Sequence, residues 1–155
     1  MRIALFQPDI PQNTAAIIRL GACLGVAVDI IQPCGFLFSD AGFRRAGMDY
    51  VELADLLQHA SWEAFLTARR GRIVLMTTKA ELAYSEFRFS GSDIILLGRE
   101  SAGVPDAVHA AADARLRIPL RPGLRSLNVA MTAAMAVGEA LRQTRQFPAD
   151  AEGKS

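Results

Sequence analysis

Polar and cationic residues gather just before the long helical pattern near the C-terminus. Arg125, Ser126 and Asn128 precede an alanine-rich apolar stretch that runs to about Arg145. Serine is a favoured residue at helix starts, so we predict a helix capped by Ser126 and packed closely on several sides through its small residues. The polar residues would then meet unpaired backbone N–H groups at the mouth of a buried helix. They either take part in chemistry there or only cap the helix, and the local sequence leaves both interpretations open.

Two more loops accompany this one. The segments 77–79, 98–103 and 119–125 each follow an apolar stretch of strand length. If these stretches form a parallel sheet, the loops leave it at one edge, where open α/β folds bind ligands. Glycine in two of the loops lets the backbone approach a ligand, although a plain strand-to-helix turn would explain the glycines equally well. A P-loop lysine, a dinucleotide glycine fingerprint and a Ser/His/Asp arrangement are all missing, since His59 and His109 fall in predicted helices.

Apolar stretches of strand length alternate with helical patterns along the chain. We predict strands over 2–7, 26–32, 50–53, 73–77, 92–97 and 116–119. We predict helices over 11–24, 40–47, 55–60, 61–68, 105–111 and 126–145. Because the strands are continuously apolar rather than alternating, they indicate an α/β fold with a parallel sheet that is covered on both faces.

The length and composition fit one globular domain. The chain has 155 residues, of which 51% are hydrophobic, and a formal net charge of +1. We expect a single domain over 1–147 and a flexible tail over 148–155. Apolar runs are too short for a membrane helix or a signal peptide, so we expect a cytoplasmic protein without membrane contact. Cys23 and Cys34 lack metal-ligand spacing, so we expect no metal site.

Arginines form small clusters on this nearly neutral chain. Arg44 and Arg45 are adjacent, and Arg121 and Arg125 belong to a run of four arginines without an acid over 114–128. Such clusters suit a limited phosphate-contacting surface, but they are also common on ordinary solvated surfaces. The sequence pattern leaves both interpretations open.

Three motifs, in this order, carry a family resemblance. The first is P-x-I-P-x-N-T at 8–14 with Arg19 behind it, and the second is G-x-E at 98–100 after a strand. The third is R-I-P at 117–119 followed by R-S-L-N at 125–128. Together they resemble the SPOUT class of RNA ribose methyltransferases. The segments R-R-A-G-x-D-Y and T-T-K, which begin at Arg44 and Thr77, are similar to the subgroup that modifies the wobble nucleotide of tRNA.

The resemblance implies an α/β fold whose C-terminal part forms a deep trefoil knot, with S-adenosylmethionine as the cofactor. Threading a segment through a loop would explain why the last helix is rich in small residues. Main chain and apolar walls would read the adenine, in keeping with the scarcity of polar side chains in the loops. By motif position, the residues that hold the cofactor would be Met76, Thr77, Gly98, Glu100, Gly103, Ile118, Leu120, Ser126 and Leu127.

The resemblance also implies methyl transfer to a ribose 2′-hydroxyl in the tRNA anticodon stem-loop. Arg19, Ser126 and Asn128 would form the catalytic set. Arg19 lies off the apolar stripe of the first helix, and it would either activate the hydroxyl or position a phosphate, because a free arginine stays protonated. A homodimer would pair one protomer's cofactor pocket with Arg19 or the basic loops of its partner. The RNA-binding residues would be Asn13, Arg44, Arg45, Arg121 and Arg125.

This chain departs from the common family pattern at Ala15, Ala16, Arg99 and Ala130, which bears on substrate choice more than on reaction class. Two alternatives from other classes stay open. One is a non-catalytic RNA-binding or assembly protein with the same knotted fold. The other is an unrelated α/β enzyme that binds a nucleotide at the same edge. Tight binding of S-adenosylmethionine would separate the methyltransferase from the first, and a ribose methylation lost from tRNA on gene deletion would separate it from the second.

Overall fold

Six parallel strands form one sheet in a computed structural model of the chain, which describes residues 1–37 and 50–149. The strands are β1 (Arg2–Phe6), β2 (Ala27–Ile31), β3 (Leu56–His59), β4 (Ile73–Met76), β5 (Ile94–Leu97) and β6 (Ala114–Leu116). Their order across the sheet is β3–β2–β1–β5–β4–β6, and every neighbouring pair runs parallel. The predicted α/β fold with a parallel sheet is therefore confirmed.

Three α-helices connect strands within the described ranges, and a fourth follows the last strand. They are α1 (Pro11–Leu24), α2 (Trp62–Ala68), α3 (Asp106–Ala111) and α4 (Val129–Thr144). Pro11 opens α1, where its missing N–H has no partner to lose, and Gly25 ends the helix with a φ of 65°. Ser61 caps α2 by accepting a hydrogen bond from Ala64 N at 3.1 Å. In the part of the chain that is described, helices long and apolar enough to cross a membrane are absent.

The helices cover both faces of the sheet because side chains alternate along each strand. On β1, Ile3 and Leu5 pack on the face that carries α1 and α4. Ala4 and Phe6 pack on the other face, against α2 and α3. These four side chains are at most 3% exposed. The central strand is thus buried on both faces, which explains its continuous apolar sequence.

The segment before α2 differs from the prediction. We expected a strand at 50–53 and a helix at 55–60. Instead 50–53 form the end of a helical turn, and Leu56–His59 is the edge strand β3, paired with β2. Leu57 and Gln58 are exposed, so β3 lacks the apolar run that marks the other strands. Pairing with β2, rather than the local pattern, decides its conformation.

The N-cap of α4 is Asn128 rather than Ser126. Asn128 Oδ1 accepts hydrogen bonds from Ala130 N at 2.8 Å and from Met131 N at 3.3 Å. Ser126 stays in the preceding loop. Within one protomer α4 is buried along one face only, so the expectation of close packing on several sides is not met there. The residues of that buried face are Ala133, Ala136, Val137, Ala140 and Leu141.

Candidate active site

A cavity of about 540 Å³ opens at the carboxyl edge of the sheet, beyond the ends of β4, β5 and β6. Three loops surround it, which are 77–79, 98–104 and 118–128. Ile10 and Asn13, at the start of α1, form another side. The volume is typical of small-molecule sites. The position is the one where open α/β sheets bind their ligands.

Every residue that we predicted to hold the cofactor lines this cavity. The sheet makes neighbours of β4, β5 and β6, so residues far apart in the sequence meet at one edge. Asn13 and Asn128 line the cavity as well. The role of these residues toward a cofactor stays a prediction. The cofactor set that the cavity brings together is Met76, Thr77, Gly98, Glu100, Gly103, Ile118, Leu120, Ser126 and Leu127.

The loop after β5 folds back on itself between two glycines. Arg99 N donates to Gly103 O at 2.9 Å, and Gly103 N donates to Arg99 O at 2.8 Å. A Cβ added to Gly98 would lie 2.7 Å from the carbonyl carbon of Gly103. Gly103 itself has a φ of 63°, a conformation that favours glycine. The close approach at Gly98 is therefore to the loop's own backbone, whereas the sequence suggested a close approach to a ligand.

A chain of side-chain hydrogen bonds joins the starts of α1 and α4 to this loop. Asn128 Nδ2 donates to Asn13 Oδ1 at 3.0 Å, and Asn13 Nδ2 donates to Glu100 Oε1 at 3.1 Å. The partners are 115 and 87 positions apart in the sequence. Asn128 also caps α4, so its amide is held from both ends. These contacts fix three separate segments of the cavity wall relative to one another.

Two carboxyl groups lie against each other behind the wall. Asp9 Oδ1 accepts a hydrogen bond from Glu100 N at 3.2 Å, and Asp9 Oδ2 accepts one from Ser101 Oγ. Burial, followed by interaction with the Asp9 carboxyl, raises the pKa of Glu100 to about 7. Hydrogen bonds from Glu100 and Ser101 lower the pKa of Asp9 to about 2. The pair therefore shares one proton below about pH 7 and loses it as the pH rises through that value.

The cavity wall contains polar atoms without partners. Among the described residues, three buried side-chain atoms make no hydrogen bond of normal geometry, namely Arg99 Nε, Glu100 Oε2 and His109 Nε2. All three belong to residues that line the cavity. Arg99 Nε lies 3.9 Å from Asp9 Oδ2, and the Glu100 carboxyl interacts with the carboxyl of Asp9, so these two groups are turned toward Asp9. His109 Nε2 is left without a hydrogen-bond partner, and buried polar atoms are normally paired. Groups of three His, Cys, Asp or Glu side chains that could hold a metal ion are absent from the described ranges.

The sequence analysis did not identify Arg99 and His109 as residues of the cavity wall. We placed His59 and His109 in predicted helices away from the loops, but His59 ends β3 and His109 lines the cavity. Arg99 was noted only as a departure from the family pattern. A histidine one turn after Pro105 gives no local signal, because only the packing of α3 against the sheet brings it to the cavity. Glu100 was assigned to organising the loop, and its contacts with Asp9 and Asn13 agree with that role.

The predicted arginines that the structure describes lie outside the cavity. Arg19 is exposed on α1, and its guanidinium carbon is 4.8 Å from the centre of the Tyr50 ring. Arg121 and Arg125 are exposed beside the cavity, where they line a shallow depression of about 220 Å³. Arg44 and Arg45, which were also predicted to bind RNA, lie outside the described residues, as does the helix predicted at 40–47.

Comparisons with known protein sequences bear on the identity of this site. The model of the SpoU rRNA Methylase family matches residues 1–138. A tRNA (cytidine(34)-2′-O)-methyltransferase from Beijerinckia indica is 59% identical over 146 residues, which cover 91% of this chain and 90% of that one. A protein of the same name from Ancylobacter novellus is 54% identical over 150 residues, covering 95% of each chain.

Solved structures share the fold. One, described as giving structural insights into the 2-OH methylation of C/U34 on tRNA, is 40% identical with a TM-score of 0.88, and the match covers 92% of this chain and 94% of that chain. An AdoMet-bound rRNA methyltransferase from Sinorhizobium meliloti is 25% identical with a TM-score of 0.82, and the match covers 91% of this chain and 55% of that one. The chain therefore belongs to the SpoU methylase family.

Proposed function

We propose that this protein transfers a methyl group from S-adenosylmethionine to the ribose 2′-hydroxyl of the anticodon wobble nucleotide of tRNA, either cytidine or a modified uridine. The observation that carries the proposal is the cavity at the carboxyl edge, where the three motif loops meet. Relatives that match over nearly the whole chain support it through their name, tRNA (cytidine(34)-2′-O)-methyltransferase.

The cavity wall suits S-adenosylmethionine. Met76, Leu97 and Ile118 offer apolar surface to an adenine ring. His109 Nε2, which makes no hydrogen bond to the described residues, offers a hydrogen bond to the polar parts of the molecule. When bound, the cofactor supplies an electrophilic methyl group. The AdoMet-bound fold neighbour supports this choice of ligand.

The chain's own residues must bring a ribose hydroxyl to that methyl group and allow its proton to leave. A 2′-hydroxyl is a weak nucleophile, so orientation contributes much of the rate. We assign the orientation to Ser126 and Asn128, which line the cavity beside the start of α4. We assign Arg19 to the same step, where it activates the hydroxyl or binds the phosphate next to the reacting ribose.

Cations beside the cavity fit an RNA partner. Arg121 and Arg125 line a depression that shares Ile118 and Leu120 with the cavity, so a phosphate bound there would lie close to the reacting ribose. Asn13 keeps one amide hydrogen free for RNA, because its other polar positions bond to Glu100 and Asn128. We therefore assign the anticodon stem-loop to this side of the molecule.

We further infer that one domain over 1–147 forms a homodimer and that its C-terminal part is knotted. On α4, Met131 is 61% exposed and Met135 is 39% exposed, beside the exposed Ala134. A second protomer on this face would bury apolar surface and could place its Arg19 at the partner's cavity. The likeness to the SpoU family over 1–138 supports the knot.

Nucleoside analysis tests the proposed function. Purified protein, S-adenosylmethionine and tRNA from a strain lacking the gene should yield one 2′-O-methylated nucleotide, at the wobble position. The matched control is the same anticodon stem-loop with a 2′-deoxyribose at that position, which should accept no methyl group. A protein that binds tRNA and S-adenosylmethionine yet leaves the wobble ribose unmethylated would favour the non-catalytic RNA-binding alternative.

A further inference from the structure

His109 occupies a place in the cavity wall that the family motifs do not cover. It lies in α3, which packs on the opposite face of the sheet from α1 and α4. Its ring lines the cavity, and its Nε2 atom is buried and makes no hydrogen bond to the described residues. The atom therefore lacks the hydrogen-bond acceptor that a buried N–H normally has.

Arg115 fixes the position of the ring proton. Arg115 Nε lies 3.3 Å from His109 Nδ1 and 2.8 Å from His109 O, and Arg115 Nη2 donates to Ala110 O at 3.0 Å. The single Nε–H is shared between these two acceptors, with His109 O as the nearer one. A guanidinium can only donate hydrogen bonds, so His109 Nδ1 accepts the weaker branch. A neutral imidazole that accepts at Nδ1 carries its proton on Nε2. The unpartnered atom in the cavity wall is thus an N–H donor.

The donor is also held in place. Arg115 lies on β6 and bonds to the backbone at the end of α3, so the guanidinium that orients the ring is itself anchored. A fixed donor gains more from a ligand acceptor than a mobile one, because less side-chain freedom is lost on binding. An unpaired buried N–H is costly, and an acceptor on a ligand would remove that cost.

The surroundings of His109 indicate which part of a ligand it meets. Asn13, Ser126 and Asn128 form the polar side of the cavity, where the substrate ribose would enter and the reacting methyl group must point. His109 lines the cavity from the other face of the sheet, together with Val104. An aromatic base with acceptor atoms at its edge fits such a mixed environment.

We propose that His109 Nε2–H donates a hydrogen bond to the nucleoside part of S-adenosylmethionine. This inference rests on the proposed function, since it takes that cofactor to be the ligand of the cavity. His109 is then a cofactor-binding residue that acts through a tautomer set by Arg115.

Calorimetry on three variants tests the proposal with two ligands. S-adenosylmethionine and 5′-methylthioadenosine share the nucleoside part, and only the first has the amino-acid part. His109→Phe keeps a flat ring but has no donor, so it should weaken both ligands by the same factor, about 3- to 10-fold. His109→Gln can place an amide N–H near the position of Nε2 and should stay within about twofold of the wild type. Ala107→Ser, exposed on the same helix, should bind like the wild type.

Nitrogen NMR of the wild-type protein gives an independent readout. We expect the Nε2–H tautomer of His109 before ligand is added, and a shift of Nε2 larger than that of Nδ1 when 5′-methylthioadenosine saturates the site. Should His109→Phe fail to fold, this shift and the His109→Gln affinity decide the matter.

The outcomes distinguish a failure of the proposed function from a failure of the role of His109. A wild-type protein that binds no S-adenosylmethionine would remove the proposed function. A wild-type protein that binds it, with affinity unchanged in His109→Phe or weakened for S-adenosylmethionine alone, would overturn only the role of His109.

Discussion

Arg19 is exposed beside the Tyr50 ring and does not line the cavity of its own protomer. If it acts on the ribose of a partner's substrate, Arg19→Ala should lower the single-turnover rate at saturating tRNA by about 100-fold or more. The affinity for S-adenosylmethionine should not change. Arg19→Lys should restore only part of the rate, because lysine lacks the planar fork of donors.

A phosphate contact alone would give a different result for Arg19→Ala. The variant would bind tRNA more weakly and keep its rate once tRNA is saturating. The slope of the logarithm of tRNA affinity against the logarithm of salt concentration would become shallower by about one unit. Single-turnover kinetics at two salt concentrations distinguish the two roles. An unchanged rate would take Arg19 off the catalytic set.

Glu100 makes stability depend on pH in a way that a single substitution removes. Its pKa rises from an ordinary value of 4.5 to about 7, so the folded protein holds a proton that the unfolded chain releases. The stability from this group is therefore full below about pH 4.5 and is lost as the pH rises through about 7. The contribution of Asp9 to stability has the opposite pH dependence, because its pKa falls from 3.8 to about 2 on folding. This contribution is lost only as the pH falls through that range.

Glu100→Gln keeps an acceptor for Asn13 and a donor toward Asp9 without a titrating proton. The unfolding free energy of the variant should fall less than that of the wild type between pH 5 and pH 8, as measured by urea denaturation. Glu63→Gln, at an exposed position on α2, is the matched control and should follow the wild type. If the unfolding free energy of Glu100→Gln falls with pH as steeply as that of the wild type, another group carries the extra proton.

The loop after β5 depends on glycine for its own shape. Gly98→Ala would bring a Cβ within 2.7 Å of the Gly103 backbone, so the loop must shift. We expect a loss of about 1 to 3 kcal/mol in stability, together with weaker binding of S-adenosylmethionine. Gly138→Ala is the matched control, because its added Cβ meets nothing within 4 Å. Thermal unfolding and calorimetry measure both effects, and a Gly98→Ala protein with normal values for both would contradict this account.

The sequence predicts elements well where local pattern and burial agree. Continuous apolar runs identify β1, β2, β4 and β5, and the flanking Pro11 and Gly25 mark the start and end of α1. The edge strand β3 was predicted to be a helix because two of its four residues are exposed and only its pairing with β2 makes it a strand. The cap of α4 was placed at Ser126 since serine caps well, whereas the structure uses Asn128.

The sequence likewise predicted one part of the candidate site and missed another. Family motifs named the three loops, and a parallel sheet makes their meeting at one edge predictable. The contact of Asn128 with Asn13 spans 115 positions, and no periodicity describes such a pair. His109 depends on the docking of α3 and on the proton that Arg115 fixes, which are properties of packing.

At the scale of the whole molecule, the proposed dimer has a direct test. Met131→Glu places a charge on the exposed face of α4 and should dissociate the dimer, because an unpaired charge at a closed interface is costly. We expect light scattering to report a monomer that still binds S-adenosylmethionine but methylates tRNA poorly. Leu57→Glu, at a residue 49% exposed on the edge strand, is the control and should leave the dimer intact. A Met131→Glu protein that stays dimeric would direct the search to another face.

Asn13 leaves the ribosome long before Asn128, its hydrogen-bond partner 115 positions later. Until that partner arrives, the start of α4 has no cap and the cavity lacks the loop that forms its mouth. A nascent chain therefore has no complete pocket for cofactor or RNA. The pocket is therefore complete only after Asn128 has been synthesised and has paired with Asn13.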